Sequence, residues 1–141
     1  MRVIETELSP VVLALLEASG LPAADLRAGR PATFLAAVMD GDLLGCVGYE
    51  LSGGVALLRS LAVQPTARGH GVGRQLVAEA ERHARDAGGK EVFLLTTTAA
   101  AFFEQLGFNR VAREVAPSFI AGSPQFTGLC PGSAVLMARG L

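Results

Sequence analysis

The sequence predicts a mixed α/β (α+β) fold, a mostly antiparallel sheet of six to seven strands with about four helices. Three observations predict it. Between Thr33 and Val63, three strand-forming stretches are separated by Asp40-Gly41 and Ser52-Gly53-Gly54, the pattern of an antiparallel meander. The third stretch runs into a glycine-rich turn and then a helical repeat from Val72 to Ala87. A short apolar strand, Val92 to Thr96, follows that helix and should therefore lie parallel to the strand before it.

Taken in order, Met1 to Glu5 reads as a short first strand. Ser9-Pro10 supplies an N-cap and a proline at the first helical position, and Val12, Leu13, Leu15 and Leu16 form the buried side of a helix that stops near Gly20. Leu21 to Arg30 holds a short helix starting near Ala23, placed to cover an active-site mouth. The meander comprises Phe34 to Met39, Leu43 to Leu51 and Val55 to Val63. The long helix buries Val72, Leu76, Ala80, Ala84 and Ala87, and Gly88-Gly89 ends it. Ala99 to Leu106 is a further helix closed by Gly107, and Asn109 to Val115 and Ala134 to Arg139 are the last two strands.

Arg68-Gly69-His70-Gly71-Val72-Gly73 sits between strand and helix, where unpaired amide groups and the helix dipole favour an anion. Spacing discriminates among phosphate loops. A dinucleotide fingerprint fails, because counting on from Gly71 or from Gly69 puts Leu76 or Arg74 where the last glycine belongs. A Walker loop fails as well, since the only lysine, Lys90, lies beyond the far end of the helix. What remains is Arg-x-x-Gly-x-Gly, with a plain strand-to-helix turn as its structural alternative.

A chain of 141 residues suits one domain, 1–141, with a proper core. Half the residues are apolar, 18% are charged and the net charge is −1, so no nucleic-acid footprint or basic membrane patch is visible. Small-molecule partners fit this composition better. No apolar run reaches the length of a membrane span, and Glu5 stands where a signal peptide would be apolar, so a cytoplasmic location is expected. Cys46 and Cys130 lack metal-ligand spacing, and neither a disulfide nor a metal site is expected.

Arg68, Gly71 and Gly73 match the coenzyme A signature of the GCN5-related N-acetyltransferases, and a second motif agrees. Ala99-Ala100-Ala101-Phe102-Phe103-Glu104-Gln105-Leu106-Gly107-Phe108 is similar to that family's helix ending in Phe-Tyr-Glu-Lys-Leu-Gly-Phe. The resemblance covers about Ala32 to Arg139 and implies the family's fold, with strands four and five splayed. Leu57 to Val63, Thr96-Thr97-Thr98 and Leu129-Cys130-Pro131-Gly132-Ser133-Ala134-Val135 further resemble the arsenic-resistance-associated subgroup. That finer likeness implies acetyl transfer from acetyl-CoA to the primary amine of a small, toxic or arsenic-containing molecule.

Carried over position by position, the resemblance implies that Leu61, Ala62 and Val63 offer backbone groups to the pantetheine arm. Arg68, Gly69, His70, Gly71, Val72 and Gly73, with Arg74 at the edge, would hold the diphosphate, and Thr98 and Phe103 also fall to the coenzyme. An alkylammonium with a pKa of about 10 must lose a proton before it attacks, so a base or water chain is needed. The family's usual thiolate-protonating tyrosine is replaced by Phe103. Water or a hydroxyl (Thr97, Thr98, Ser133) would act instead, or the thiolate leaves unprotonated.

Glu50 is the candidate base on chemical grounds, a carboxylate in an apolar strand where burial would raise its pKa; the alternative is a strand-end residue facing water. Arg59 must face solvent or meet a carboxylate, one on the substrate included. A three-residue hairpin loop puts Glu50 and Arg59 on opposite faces, whereas a one-residue bulge unites them. Ser60 either bonds substrate or fills a small-residue position. The long connection from Ala116 to Ser133 folds over the acceptor pocket or pads a subunit contact, with Phe126, Cys130 and Ser133 nearest substrate. A homodimer through the last strands is expected by analogy. Two other functions stay open: acetylation of proteins or peptides, and a noncatalytic acyl-CoA sensor.

Overall fold

The computed structural model describes residues 1–130 and 132–141; Pro131, within the stretch Leu129 to Val135, lies outside them. Seven strands form one sheet: β1 (Arg2–Thr6), β2 (Thr33–Met39), β3 (Asp42–Ser52), β4 (Val55–Val63), β5 (Glu91–Thr96), β6 (Asn109–Arg110) and β7 (Val135–Gly140). Their order is β1-β2-β3-β4-β5-β7-β6, antiparallel throughout except between β4 and β5. The helices are α1 (Pro10–Ala18), α2 (Ala24–Arg27), α3 (Val72–Asp86), α4 (Ala100–Gln105) and α5 (Ser118–Ala121).

Local chemistry accounts for the ends of the helices. Ser9 Oγ accepts the Val12 amide and Pro10 starts α1, which buries Val12, Leu15 and Leu16 and stops before Gly20 at φ 69°. In α3, Val72, Leu76, Val77, Ala80 and Ala84 face inward. Gly88 at φ 101° ends it, with the Gly89 amide donating 2.8 Å to the carbonyl of Ala84. Ala87 falls at this cap and is exposed, so the apolar stripe is one turn shorter than the sequence pattern predicts.

The pleat then assigns the layers. Leu35, Val47, Tyr49, Ala56, Leu58, Val92, Leu94 and Met137 point to one side and pack with α3, Phe103 and Phe108. Phe34, Cys46 and Ala62 point to the other, against α1 and α2. Farther along that second side, Leu57, Phe93 and Leu136 are covered by Ile120, Phe119 and Phe126 from the long connection.

Two expectations are corrected. The β3–β4 turn holds two residues: Ser52 pairs Val55, and Gly53 and Gly54 sit at φ 56° and 82°. Two positive φ values in a tight turn match the twist of the strands, which a three-residue loop would not require. The strand expected over Asn109 to Val115 keeps only Asn109–Arg110, with one more bond from the Val111 amide to Leu136; Arg113–Val115 is a 3₁₀ turn. Arg113 turns inward there, donating 3.0 Å to the Ala134 carbonyl and lying 4.9 Å over Phe126, and this draws the chain off the sheet edge.

Candidate active site

The parallel pairing of β4 with β5 covers Val55↔Glu91, Ala56↔Val92 and Leu57↔Phe93 and then stops. Beyond it the strands part. A bulge in β4 falls just there: Gly48 pairs Arg59 but Cys46 pairs Ala62, so Ser60 and Leu61 together face Val47. Ser60 takes φ 58°, a conformation that costs a non-glycine residue energy and tends to persist at functional sites.

Two cavities follow the gap. One, about 750 Å³, is lined by Leu61, Ala62, Val63, Arg68, Gly69, Gly71, Val72, Gly73, Arg74 and Thr98, together with Ser19, Leu21, Ala67, Ala99 and Phe102. Gly71 caps α3 at φ 78° with no side-chain cap bond, and Gly69 lies at φ 83°. A Cβ on either would meet nothing within 4 Å, so the amides at this helix end border open space. Gly73 is different: a Cβ there would stand 3.4 Å from Phe102, which fixes the distance between α3 and α4. Arg68 donates from Nε to the Val63 carbonyl at 3.2 Å and braces the loop, whereas His70 is exposed and off the lining. An uncapped helix end with two left-handed glycines beside an open cavity fits a diphosphate.

The second cavity, about 410 Å³, shares Leu21, Leu61, Thr98 and Ala99 with the first. It is walled by Leu58, Arg59, Ser60, Leu94, Leu95, Thr96, Thr97, Phe103, Gln125, Leu129, Cys130 and Ala134. Of the connection residues expected near substrate, Cys130 is on this wall. Phe126 packs behind it with Leu57 and Phe93, and Ser133 is exposed and off the wall. The Cys130 thiol donates to Gln125 Oε1 at 3.2 Å, and burial pushes its pKa up against the pull of Arg59 and Arg113. Burial likewise pushes the Cys46 thiol to about 12.

Glu50 and Arg59 come together by a route the sequence reading did not weigh. The two-residue turn, with no bulge between them, places both on the α1–α2 face. Arg59, its side chain 1% exposed, donates from Nη1 to Glu50 Oε2 at 2.9 Å. It also grips Asp25 end-on, Nη1 to Oδ2 at 2.5 Å and Nη2 to Oδ1 at 2.8 Å, and its Nε donates to Ser60 Oγ at 3.1 Å. Arg30 closes the cluster from Nε and Nη2, each 2.8 Å from Glu50 Oε1, and lies 5.9 Å over Phe119.

Burial opposes the charge on Arg59, yet the two carboxylates outweigh it and raise its pKa. Burial also opposes ionisation of Asp25, yet bonding to Arg59 outweighs that and lowers its pKa. Glu50 itself is off the cavity wall, behind Arg59. Asp25, Arg30 and Gln125 escaped the sequence reading. A signal for Asp25 existed: an arginine inside an apolar strand demands a carboxylate, and Asp25 is the only one between Leu21 and Arg30.

Among the described residues no group of three or more His, Cys, Asp or Glu side chains is placed to hold a metal, and no helix is long and apolar enough to cross a membrane.

The chain is similar to known proteins. Over 90 residues the chain is 36% identical to an uncharacterized N-acetyltransferase of Chlorobaculum tepidum, a match covering 62% of this chain and 56% of that one. Over 120 residues it is 37% identical to the mycothiol acetyltransferase of Cellulomonas flavigena, covering 70% of this chain and 34% of that one. It therefore spans only about a third to just over half the length of these relatives. A Mycobacterium tuberculosis protein solved in complex with CoA superposes with a TM-score of 0.81 at 21% identity, covering 100% of this chain and 99% of that one, which is a likeness of fold. Residues 7–108, from just after β1 through α4, match the acetyltransferase (GNAT) family, and the chain belongs to that family.

Proposed function

We propose that this protein transfers the acetyl group of acetyl-CoA to the primary amine of a small molecule. The observation that carries this is the pair of adjoining cavities, sharing Leu21, Leu61, Thr98 and Ala99, that run from the uncapped end of α3 to the parted edges of β4 and β5, with Gln125, Leu129 and Cys130 of the long connection on the far wall. Gly69 to Gly73 hold the diphosphate through backbone amides, with Arg68 and Arg74 beside them. The β4 edge from Leu61 to Val63 bonds the pantetheine arm as an added strand would.

The chemistry asks little else of the protein. The ammonium first gives up one proton, the neutral nitrogen bonds to the thioester carbon, and as the carbon–sulfur bond breaks the nitrogen's second proton passes, through water or the Thr97 hydroxyl as a relay, to the departing thiolate. A β4 amide near Leu61 to Val63 stabilises the oxyanion, a contribution of about 3 kcal/mol. Because Glu50 stands behind Arg59, the amine proton leaves through ordered water and not directly to that carboxylate.

A small amine is favoured as acceptor because Gln125, Leu129 and Cys130 of the long connection line the second cavity, whereas a protein substrate needs an open groove. A toxic or arsenic-containing acceptor, a cytoplasmic setting and a homodimer complete the proposal; the first rests on the likeness of Leu57 to Val63, Thr96 to Thr98 and Leu129 to Val135 to the arsenic-resistance subgroup. The test is release of free thiol from acetyl-CoA with an amine panel, arsenic-bearing amines included, with mass spectrometry of the products. Acceptor-dependent release and an acetylated amine are expected. Phe103 in place of a hydroxyl-bearing ring favours one competitor, a sensor without turnover; tight coenzyme binding with no acceptor-dependent release would establish it instead.

A further inference from the structure

The wall of the 410 Å³ cavity carries one charged side chain among the described residues, Arg59, and no carboxylate. All five guanidinium N–H groups of Arg59 are engaged: Nε with Ser60 Oγ, Nη1 with Asp25 and Glu50, Nη2 with Asp25 and, at 3.5 Å, the Pro22 carbonyl. Two carboxylates and two guanidiniums, Asp25, Glu50, Arg59 and Arg30, sum to no net charge. What remains facing the cavity is apolar or hydroxyl-bearing, with Gln125 and Cys130 bonded to one another.

From this neutral lining we infer the acceptor class: a monoamine whose body bears no second charge. The inference rests on the acetyltransferase reading above and narrows its substrate. An acceptor carboxylate would have to take Arg59 from Asp25, whose side chain is 7% exposed and would be left buried without its counter-charge. A second ammonium would lose its water with no carboxylate on the wall to receive it. An alkyl or aryl body instead meets Leu21, Leu94, Leu95 and Leu129 and replaces water at an apolar surface. Asp25 and Glu50 thus exclude anionic acceptors by keeping Arg59 occupied, and the lack of a carboxylate on the wall excludes cationic ones.

Matched pairs test this on the full chain loaded with CoA. Isoamylamine and L-leucine differ by a carboxylate, and pentylamine and cadaverine by a second ammonium. Calorimetric affinity for each is compared with acetyl transfer from acetyl-CoA. The uncharged-body member of each pair should bind and react at least about tenfold better, the direction set by the cost of an unpaired buried charge. Asp25→Asn should narrow the leucine gap through KM more than kcat, because Arg59 then has charge to spare; should that variant fail to fold, the wild-type pairs decide alone. Equal affinity within pairs, preference for leucine or cadaverine, or binding of none of the four would overturn the inference. The binding preference without any transfer would uphold it and sink the proposed reaction instead.

Discussion

Glu50 Oε2 and Arg59 Nη1 stand 2.9 Å apart on one face of the sheet because the turn between their strands contains two residues. One more residue in that turn would send Arg59 to the α3 side and its charge into the main apolar core. The site and the register are therefore one structural fact.

Removing the guanidinium should be costly. Arg59→Met leaves Asp25 and Glu50 buried beside an apolar side chain, and a loss of about 3–5 kcal/mol is expected in urea unfolding. A loss below about 1 kcal/mol would mean that solvent reaches the cluster freely.

Gly71→Val puts a branched side chain at φ 78° and into the open space beside the α3 amides. Strain of about 1–2 kcal/mol should leave the protein folded. CoA affinity measured by calorimetry should fall at least about a hundredfold, since a bulky group would occupy the place of an anion held by bare backbone. Unchanged affinity would remove the loop from the coenzyme site.

Acid should act on two carboxylates in opposite senses. Asp25 has a folded pKa below its ordinary 3.8, so its contribution is present above that value and lost as pH falls through the folded one. Asp25→Asn should flatten the acid limb of a stability–pH curve. Glu81 is raised above 4.5 by burial, against the pull of Arg139 and Arg85; it weakens the fold as pH climbs through its folded value. Its Oε2 lies 3.1 Å from Arg139 Nε but accepts no aligned hydrogen bond. Glu81→Gln should therefore stabilise the protein at neutral pH and lose that advantage near pH 4. Thermal melts across the acid range would show both, and a wild-type-like acid limb in either variant would contradict its assignment.

Phe103→Tyr offers a hydroxyl to a wall that has a phenyl ring. If thiolate departure limits turnover, kcat should rise about a hundredfold, the lower end of what a placed acid provides. The gain should be largest below pH about 8.5, the ordinary thiol pKa. No gain at any pH would place the slow step elsewhere.

The sequence reading and the structure agree where a local rule acts alone. Proline after serine starts α1, paired glycines end α3, and glycine-containing turns between apolar stretches mark β2 to β4, because each reports backbone chemistry at its own position. They part where a distant contact decides. Arg113 draws the end of β6 off the sheet through Ala134 and Phe126, residues far along the chain. Asp25 gives no periodic signal because its role is to meet a strand 34 positions away. Phe126 looked like a substrate contact because an aromatic in a long loop does not reveal which side of the loop it serves.

Three rungs, Val55 to Glu91 through Leu57 to Phe93, join one leaf of the sheet, β1 to β4, to the other, β5 to β7. With so few rungs along this spine, a ligand arm laid in the parting would supply the missing ones. Heat resistance of this protein should then track how well it is charged with its thioester, rising by the logarithm of the ratio of ligand to dissociation constant.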